Sequence, residues 1–283
     1  MKMKLLVLAV AITISSHAFA QTYSFQTADF SGDTFTQLLG INNNGVIAGY
    51  HGFAVNQGFT LTLPANFTTE NYPNSAQTQV IAINNAGNTG GFYIDQSNVT
   101  HGFLQSFGVF QTVDFPGTTF NQILGRNNLA QAAGYYADAS NLFHPYIYDI
   151  NGGVFELLIL PNAVSAQATG VNDSRSVVGF YIDSAAVTRG FLLTSGTFKK
   201  LVFPGATSTQ ALGINKAGTV VGSYVDKSGA MHGFVYTKGA YTAVDDPNGV
   251  GTTLVNGIND QGKIVGFYMN STSTADGFVG TPN

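Results

Sequence analysis

The chain has 283 residues, carries a formal net charge of −4 and contains no cysteine, so disulfide bonds are excluded. Only 9% of its residues are charged, against about 25% in typical soluble domains. Basic runs are absent apart from Lys199-Lys200. This argues against nucleic acid or an anionic membrane as a partner, because both are bound through clusters of Lys and Arg. Scarce charge suits an uncharged ligand, which needs no long-range steering field.

The N-terminal segment has the pattern of an export signal. Two lysines precede an apolar run over residues 5–14, and residues 18–20 supply a small-x-small cleavage site. We predict that residues 1–20 are a signal peptide and that the mature protein, residues 21–283, is one domain that is secreted or periplasmic. No later segment reaches the roughly 18 uninterrupted apolar residues of a membrane-spanning helix, so we expect no membrane span.

The mature chain is built from one phrase that occurs six times with small changes. Its core reads Gly-Ile-Asn-x-x-Gly and is followed by an apolar run. The asparagines of the six copies lie 42 to 45 residues apart, at Asn42, Asn84, Asn127, Asn172, Asn215 and Asn259. A period of about 40–45 residues that is rich in short strands is typical of β-propeller blades.

Each copy contains four predicted strands separated by turn signals. In the fifth copy they cover residues 210–215, 219–225, 232–237 and 240–244, with Asn-x-x-Gly, Asp-Lys-Ser-Gly and Lys-Gly between them. A unit of four strands and a link is one propeller blade. We therefore predict an all-β fold, a six-bladed β-propeller with four-stranded blades.

The two ends of the chain predict how the ring closes. Residues 23–30 resemble a fourth strand with no blade before it, and the sixth copy stops after its third strand, at residues 278–280. We expect the N-terminal strand to pair into the last blade, because an open array would expose an unpaired strand edge.

The copies are similar in sequence to a known kind of repeat. Gly-Ile-Asn-x-x-Gly-x-Val-Val-Gly-x-Tyr followed by His-Gly-Phe resembles the HAF-type extracellular repeat of exported bacterial proteins, although Gly102 and Gly233 replace the Ala of its His-Ala-Phe tripeptide. Tryptophan, which is frequent in such repeats, is absent. The resemblance spans all six copies and implies an exported bacterial repeat protein. It implies no catalytic residue.

A second position recurs in the copies and holds His, Arg or Asp. It lies seventeen residues after the motif asparagine, and an Asp or Asn stands six residues before it. The pairs are Asp95 and His101, Asp138 and His144, Asp183 and Arg189, Asp226 and His232, and Asn270 and Asp276. Because the two members change together, we predict a bridge that fixes the loop between the second and third strands. In the shorter first copy we assign His51 to this position.

His and Asp are also the usual ligands of metals and the usual groups of acid–base catalysis. A metal ion needs three or four ligands that converge on it, whereas these pairs are spread round the ring. No HExxH, GxSxG or Walker pattern occurs. We expect neither a metal ion nor a cofactor. The motif asparagine we interpret as a turn residue whose side chain bonds its own backbone.

Candidate binding residues are those at which one copy departs from the others. Arg126 occupies a position that is Ile or Val in the other five copies, and a charge there is costly unless it is paired or solvated. Asp245-Asp246 stands where other copies have Asp-Phe or Val-Phe before proline. Arg189 replaces the histidine of its bridge.

The first copy is followed by an unusual segment. We predict an extended link over residues 59–78, which carries Glu70 and Tyr72. In a propeller whose first strand is innermost, this link shares one face with the bridge loops. The candidate binding residues are thus Arg126, Arg189, Asp245, Asp246, Glu70 and Tyr72.

We predict a monomeric, exported, non-enzymatic binding module. Its expected ligand is a neutral glycan or other extracellular polymer, held at one face near the channel mouth. The alternative is a hydrolase or lyase in which Asp245, Asp246 or Glu70 acts with Arg126 at the channel mouth, with paired carboxylates as acid and base. A purely structural exported protein is a third hypothesis. The sequence identifies no catalytic residue.

Overall fold

The computed structural model of this chain describes residues 22–283, so the predicted signal peptide lies outside the described residues. Within this range no helix is long and apolar enough to cross a membrane. In chain order the strands are β1 (Tyr23–Thr27), β2 (Thr36–Ile41), β3 (Val46–His51), β4 (Gln57–Thr62), β5 (Asn66–Thr69), β6 (Gln77–Ile83), β7 (Thr89–Ile94), β8 (Thr100–Ser106), β9 (Val109–Val113), β10 (Asn121–Arg126), β11 (Gln131–Ala137), β12 (Phe143–Asp149), β13 (Val154–Leu157), β14 (Ala163–Val171), β15 (Val177–Asp183), β16 (Thr188–Thr194), β17 (Thr197–Leu201), β18 (Ser208–Ile214), β19 (Val220–Val225), β20 (Met231–Thr237), β21 (Ala240–Val244), β22 (Leu254–Ile258), β23 (Ile264–Met269) and β24 (Ala275–Pro282).

The strands form six antiparallel sheets of four, which are the blades of a six-bladed β-propeller. Blade one contains β2 to β5, blade two β6 to β9, blade three β10 to β13, blade four β14 to β17, and blade five β18 to β21. Blade six is composed of β22, β23, β24 and the N-terminal β1, in that order. The predicted closure is confirmed, because Tyr23 of β1 pairs with Pro282 and Thr27 pairs with Phe278 of β24.

The first strand of each blade lies nearest the axis, where the motif glycine allows neighbouring first strands to approach. A Cβ on Gly257 would lie 2.5 Å from the carbonyl oxygen of Leu39 and 3.2 Å from the Cα of Gly40, in the next blade round the ring. The strand register also shifts here, between Val255 and Gly257. Close packing at the axis therefore favours a small residue here, which is glycine in five blades and Ala82 in blade two.

The core lies between successive blades and repeats with them. The third strands place one large, fully buried aromatic side chain in each interface: Phe59, Phe103, Tyr146, Phe191, Phe234 and Phe278. Each ring lies over a glycine of the second strand. A Cβ on Gly222 would lie 1.9 Å from the carbonyl oxygen of Gln210 and 2.9 Å from the Phe234 ring. Burial of one phenylalanine contributes about 1.5–3 kcal/mol, so these interfaces hold the ring together without disulfides.

Blade one corrects the predicted link over residues 59–78. Part of that segment forms β4 and β5, which complete the four strands of the blade and leave residues 70–76 as the link. The prediction was wrong because the first copy has a shortened loop between its second and third strands, which moved the later strands out of the expected register.

The same shortening corrects the assignment of His51. His51 ends β3 and pairs with Gln57, as Tyr93 in blade two pairs with His101. His51 therefore occupies the tyrosine position of the second strand and not the bridge position. Its ring stacks on Phe30 with centroids 3.6 Å apart, and its Nδ1 lies 2.9 Å from an Asp33 carboxylate oxygen.

Candidate functional site at the channel mouth

The motif asparagines form a closed ring of hydrogen bonds at one end of the channel, which we name the asparagine ring. Each side-chain Nδ2 donates to the backbone carbonyl of the next asparagine, as from Asn42 to Asn84 at 3.0 Å. The other members of the ring are Asn127, Asn172, Asn215 and Asn259. The Asn42 Oδ1 accepts from the backbone N–H groups of Asn44 and Val46. The predicted turn role is thus confirmed, and the same side chain also joins neighbouring blades.

Side chains alternate along each first strand, so positions five, three and one before the motif asparagine face the channel in three layers. The first layer is Gln37, Gln79, Gln122, Gln167, Gln210 and Leu254. The second is Leu39, Ile81, Leu124, Thr169, Leu212 and Asn256. The third is Ile41, Ile83, Arg126, Val171, Ile214 and Ile258, next to the asparagine ring.

The channel is widest at the end remote from the asparagine ring. The cavity between the first and second layers has a volume of about 280 Å³, whereas those further along measure about 100 and 80 Å³. We name the wide cavity the glutamine mouth. It is lined by amides and rings that include Gln37, Gln79, Gln122, Asn256, Tyr50 and Phe92. None of the described residues that line it is acidic or basic.

Tyrosines of the second strands orient the amides of the glutamine mouth. The Tyr50 hydroxyl donates to Gln37 Oε1 at 2.8 Å, and the Tyr135 hydroxyl donates to Gln122 Oε1 at 2.6 Å. Burial raises the pKa of both tyrosines, which keeps them neutral donors. Because the amide oxygens of Gln37 and Gln122 are engaged, their NH₂ groups are left to donate to a ligand. The NH₂ group of Gln79 instead donates to Asn56 Oδ1 at 2.7 Å.

Aromatic rings lie beside the glutamine mouth on blades one and three. On blade one, Phe35 lies 5.8 Å from the Tyr50 ring and 5.8 Å from the Phe53 ring, and Phe53 is 82% exposed. On blade three, Phe143 lies 4.9 Å from the Tyr135 ring. Rings beside fixed amides can hold a ligand that has both an apolar face and hydroxyl groups.

Arg126 belongs to the third channel layer, but its guanidinium enters the interface between blades two and three. Nη1 donates to the carbonyl oxygens of Thr89 and Gln105 at 2.7 and 2.8 Å, and Nη2 donates to Ser106 Oγ at 2.9 Å. Burial lowers the pKa of Arg126 to about 10, and its Nε has no partner. Carbonyl groups and a hydroxyl, rather than an acid, thus solvate this charge. The second layer separates it from the glutamine mouth.

Glu70 and Tyr72 lie in the link between blades one and two. The Glu70 carboxylate accepts a hydrogen bond from Thr89 Oγ1, and burial raises its pKa. Tyr72 stacks on Tyr93 with centroids 3.7 Å apart. Equivalent stacked pairs are Phe30 and His51, Phe115 and Tyr136, and Phe203 and Tyr224. Tyr72 thus occupies a packing position that recurs round the ring.

The predicted bridges between the second and third strands are confirmed by hydrogen bonds in blades three, four and six. An Asp138 carboxylate oxygen lies 2.7 Å from His144 Nε2, and Arg189 Nε donates to Asp183 Oδ2 at 3.2 Å. In blade six the amide of Asn270 donates to Asp276 Oδ2 at 2.8 Å. Each bridge ties the end of a second strand to the start of the third.

Blades two and five contain a second acid in the bridge that the sequence did not reveal. His232 Nδ1 lies 2.8 Å from Asp245 Oδ2, whereas its Nε2 lies 3.6 Å from Asp226 Oδ2. In blade two, His101 has the same arrangement with Asp114. Asp245 is therefore engaged in a contact that recurs between blades.

Blade six has a carboxylate, Asp276, in the bridge position. Burial raises the pKa of Asp29 to about 6, and it also raises the pKa of Asp246. The negative charge of Asp276 acts in the same direction on both acids. Asp246 is fully buried where other blades have the stacking ring, beside Tyr268. Its Oδ1 accepts from the backbone of Asn248, while its Oδ2 has no partner.

The six candidate residues are distributed over several interfaces and do not form one site. Asp245 and Asp246 are chain neighbours, and Glu70 and Tyr72 share one link. Glu70 and Arg126 both form a hydrogen bond with Thr89. The role of the six residues in binding stays a prediction. Within residues 22–283 no three His, Asp or Glu side chains are grouped so that they could hold a metal ion. The glutamine layer was missed, although a Gln five residues before the motif asparagine in five copies is visible in the sequence.

Comparison with known proteins identifies a fold and no family. No protein-family model matches the sequence, and no curated protein matches it. Among solved structures the chain is similar to the SapL1 lectin in complex with α-methyl fucoside, at 9% identity and a TM-score of 0.58 over 88% of this chain and 95% of that one. It is also similar to the Aleuria aurantia lectin in complex with Fucα1-6GlcNAc, at 10% identity and a TM-score of 0.53 over 89% and 96%.

A third similar structure is a protein provisionally assigned as a gluconolactonase, at 14% identity and a TM-score of 0.54 over 92% of each chain. At such identities the likeness concerns the fold. The resemblance to HAF-type repeats therefore stays an expectation from the sequence.

Proposed function

We propose that the protein is a binding module for an uncharged glycan and that it holds one end of the glycan in the glutamine mouth. The observation that carries this proposal is the set of side chains that line the cavity. Amides lie at its open end, mostly aliphatic side chains lie further along the channel, and aromatic rings lie beside the opening. Amides donate to and accept from hydroxyl groups without a net charge. The volume of about 280 Å³ lies near the lower end of the roughly 300–1,000 Å³ of ligand pockets, which suits a terminal sugar.

Two further observations support this ligand class. Two similar propellers are lectins whose structures hold fucosides. The chain itself has only 9% charged residues, so it offers few counter-charges for an ionic polymer. We also propose, from residues 1–20 alone, that the protein is exported, which would bring the glutamine mouth to extracellular or periplasmic glycans.

The alternative function is a hydrolase or lyase. It is favoured by Asp246, a buried carboxyl with a raised pKa close to Asp276, because glycoside cleavage needs one protonated and one ionised carboxyl. The similarity to a provisional gluconolactonase favours it weakly. We rank it second because these acids lie in blade six, outside the residues that line the glutamine mouth, and because Asp246 has none of its surface exposed.

The test is a panel of neutral oligosaccharides and their sulfated or uronic-acid counterparts, screened against the mature protein. We expect neutral members to bind more tightly than charged ones, because the cavity offers no counter-ion for a buried charge. Each hit is then incubated with the protein and analysed by mass spectrometry. Unchanged mass supports a binding module, whereas cleavage favours the enzyme. Binding of charged members alone, or of none, contradicts the proposal.

A further inference from the structure

We propose a second ligand site, for an aliphatic α-amino acid, in the gap between blades three and four. The gap holds a cavity of about 380 Å³. It lies beside the turn that follows Asn172 and the hairpin between β16 and β17, so it opens on the face of the asparagine ring. This is the face opposite the glutamine mouth, and the inference does not depend on the glycan proposal.

The walls of this cavity are aliphatic. Ile147 and Leu158 of blade three face Val177 and Leu193 of blade four, and the first three are at most 9% exposed. Such walls favour an alkyl side chain. The polar residues of the lining, Ser174 and Ser195 among them, lie at the turn and the hairpin.

One side chain beside the cavity is smaller than its counterparts in the two neighbouring blades. Leu193 pairs with Val177 in blade four, at the position where Tyr148 pairs with Ala132 in blade three and Tyr236 pairs with Val220 in blade five. Both tyrosines are buried and fill the corresponding gaps. Leu193 is smaller than these tyrosines and lies beside the cavity. Blade one also has a leucine at this position, Leu61, which is fully buried.

The rim of the cavity carries one positive and one negative group. The Arg175 guanidinium and the Glu156 carboxylate form an ion pair across the gap, and their side chains are 51% and 59% exposed. An ion pair this exposed contributes little to stability, so a ligand can separate it at small cost.

Arg175 also departs from the repeat, because it stands at a backbone position that other copies fill with glycine. It has a φ of 59° at the last position of the motif turn, where Gly45 and Gly87 have φ values of 78° and 79°. A left-handed backbone strains an arginine and does not strain a glycine. Ala130 has the same backbone conformation at this position of blade three, with a φ of 56°, so the strain by itself marks no site. What distinguishes Arg175 is its charged side chain at the rim of the cavity.

A zwitterion fits this arrangement better than a singly charged molecule. Its carboxylate would accept hydrogen bonds from the Arg175 guanidinium, and its ammonium group would donate to Glu156, so both rim charges stay paired. The ammonium and carboxylate of an α-amino acid stand on one carbon, as the rim groups stand side by side. The alkyl side chain then enters the cavity.

The test is calorimetric titration of the mature protein with L-leucine and three related probes. These are 4-methylpentanoate, which lacks the ammonium group, 3-methylbutylamine, which lacks the carboxylate, and L-serine, which lacks the alkyl group. We expect leucine to bind about tenfold or more tightly than each of the three, since each loses a charge-assisted contact or the apolar one. Equal binding of the four probes, or no saturable binding of leucine, overturns the proposal.

Two variants locate the site. Leu193→Tyr introduces the side chain that fills the neighbouring gaps, and Arg175→Gly restores the glycine of the repeat. Each is expected to weaken leucine binding about tenfold or more while the melting temperature is kept or raised. Ala130→Gly, which changes the equivalent turn of blade three, is the control and leaves affinity unchanged. If Leu193→Tyr does not fold, Arg175→Gly decides alone, and unchanged affinity in a folded variant overturns the proposal.

Discussion

The side-chain amide of Asn259 donates a hydrogen bond to the backbone carbonyl of Asn42, 217 positions away in the chain. This bond joins blade six to blade one at the axis. The same blade six is completed at its outer edge by β1, which pairs with β24 along five residue pairs. The ring is therefore sealed twice, once by an asparagine of the motif and once by the N-terminal strand.

Asn259→Ala is expected to destabilise the protein by about 1–3 kcal/mol, because it removes one of the two donors to the Asn42 carbonyl and the acceptor for its own turn. Denaturant unfolding measures the change. Asn66→Ala is the control, since Asn66 is exposed and an exposed substitution usually changes stability by less than about 0.5 kcal/mol. An equal loss of unfolding free energy in the two variants would show that the hydrogen bond from Asn259 to Asn42 does not stabilise the contact between blades six and one.

Deletion of residues 22–27 is expected to cause aggregation or loss of cooperative unfolding. The deletion removes β1 and leaves β24 as an unpaired edge that can pair with another chain. Light scattering and thermal unfolding report the two effects. A truncated protein that stays monomeric with an unchanged melting temperature would show that β1 does not hold the ring closed.

Asp29 is expected to make stability fall as the pH rises through about 6. Its folded pKa lies near 6 against an ordinary value of 3.8. Between these values the folded protein therefore holds a proton that the unfolded chain has lost, and stability declines as that proton leaves. Asp29 remains partly exposed, so screening limits the size of the effect, and the sign is what we predict.

Asp29→Asn isolates this contribution, because an amide oxygen can still accept from the Gly277 N–H, which donates to Asp29 Oδ1 at 2.7 Å. The free energy of unfolding of wild type and variant is compared from pH 4.5 to 7. Subtracting the two profiles removes the contributions of all groups that the two proteins share. Acids with a lowered pKa, such as Asp138 and Asp183, stabilise the folded protein while they are ionised. This stabilisation is lost only below about pH 4, outside the measured range. Parallel pH profiles for the two proteins would refute the prediction.

Arg126→Ile distinguishes the two ends of the channel. Isoleucine is the residue of four other copies at this position, so the fold should tolerate it. If the ligand enters the glutamine mouth, its affinity stays unchanged, because the second layer lies between that cavity and the Arg126 side chain. Calorimetry with a glycan from the panel makes the comparison. A large loss of affinity would move the site toward Arg126, as the sequence alone suggested.

The fold was predictable because its determinants are local and repeated. Each motif asparagine marks one blade, and residues 23–30 look like a fourth strand without a blade. His51 was misassigned because matching by residue type ignored the register, in which His51 pairs as a second-strand residue with Gln57.

The site was less predictable because it depends on what the copies share and on what lies across an interface. Candidate residues were those at which one copy differs from the others. Glutamine occupies the first channel layer in five of the six copies, so this criterion did not select it. Arg126 donates hydrogen bonds to backbone carbonyl oxygens of blade two. Every residue has a backbone carbonyl group, so the residue types in the sequence could not identify these partners. The cavity beside Leu193 depends on the volume of one side chain relative to its counterparts in neighbouring blades.

The most direct test of glycan binding at the glutamine mouth is calorimetry on the double variant Gln37→Leu, Gln122→Leu. Leucine already occupies this layer in blade six as Leu254, so the fold should be retained. Loss of two amide donors should weaken binding of a neutral glycan from the panel about tenfold or more, since each hydrogen bond contributes about 0.5–1.5 kcal/mol. Gln111→Leu, an exposed change on β9, should leave affinity unchanged. Equal affinity in wild type, double variant and control would contradict the proposed site.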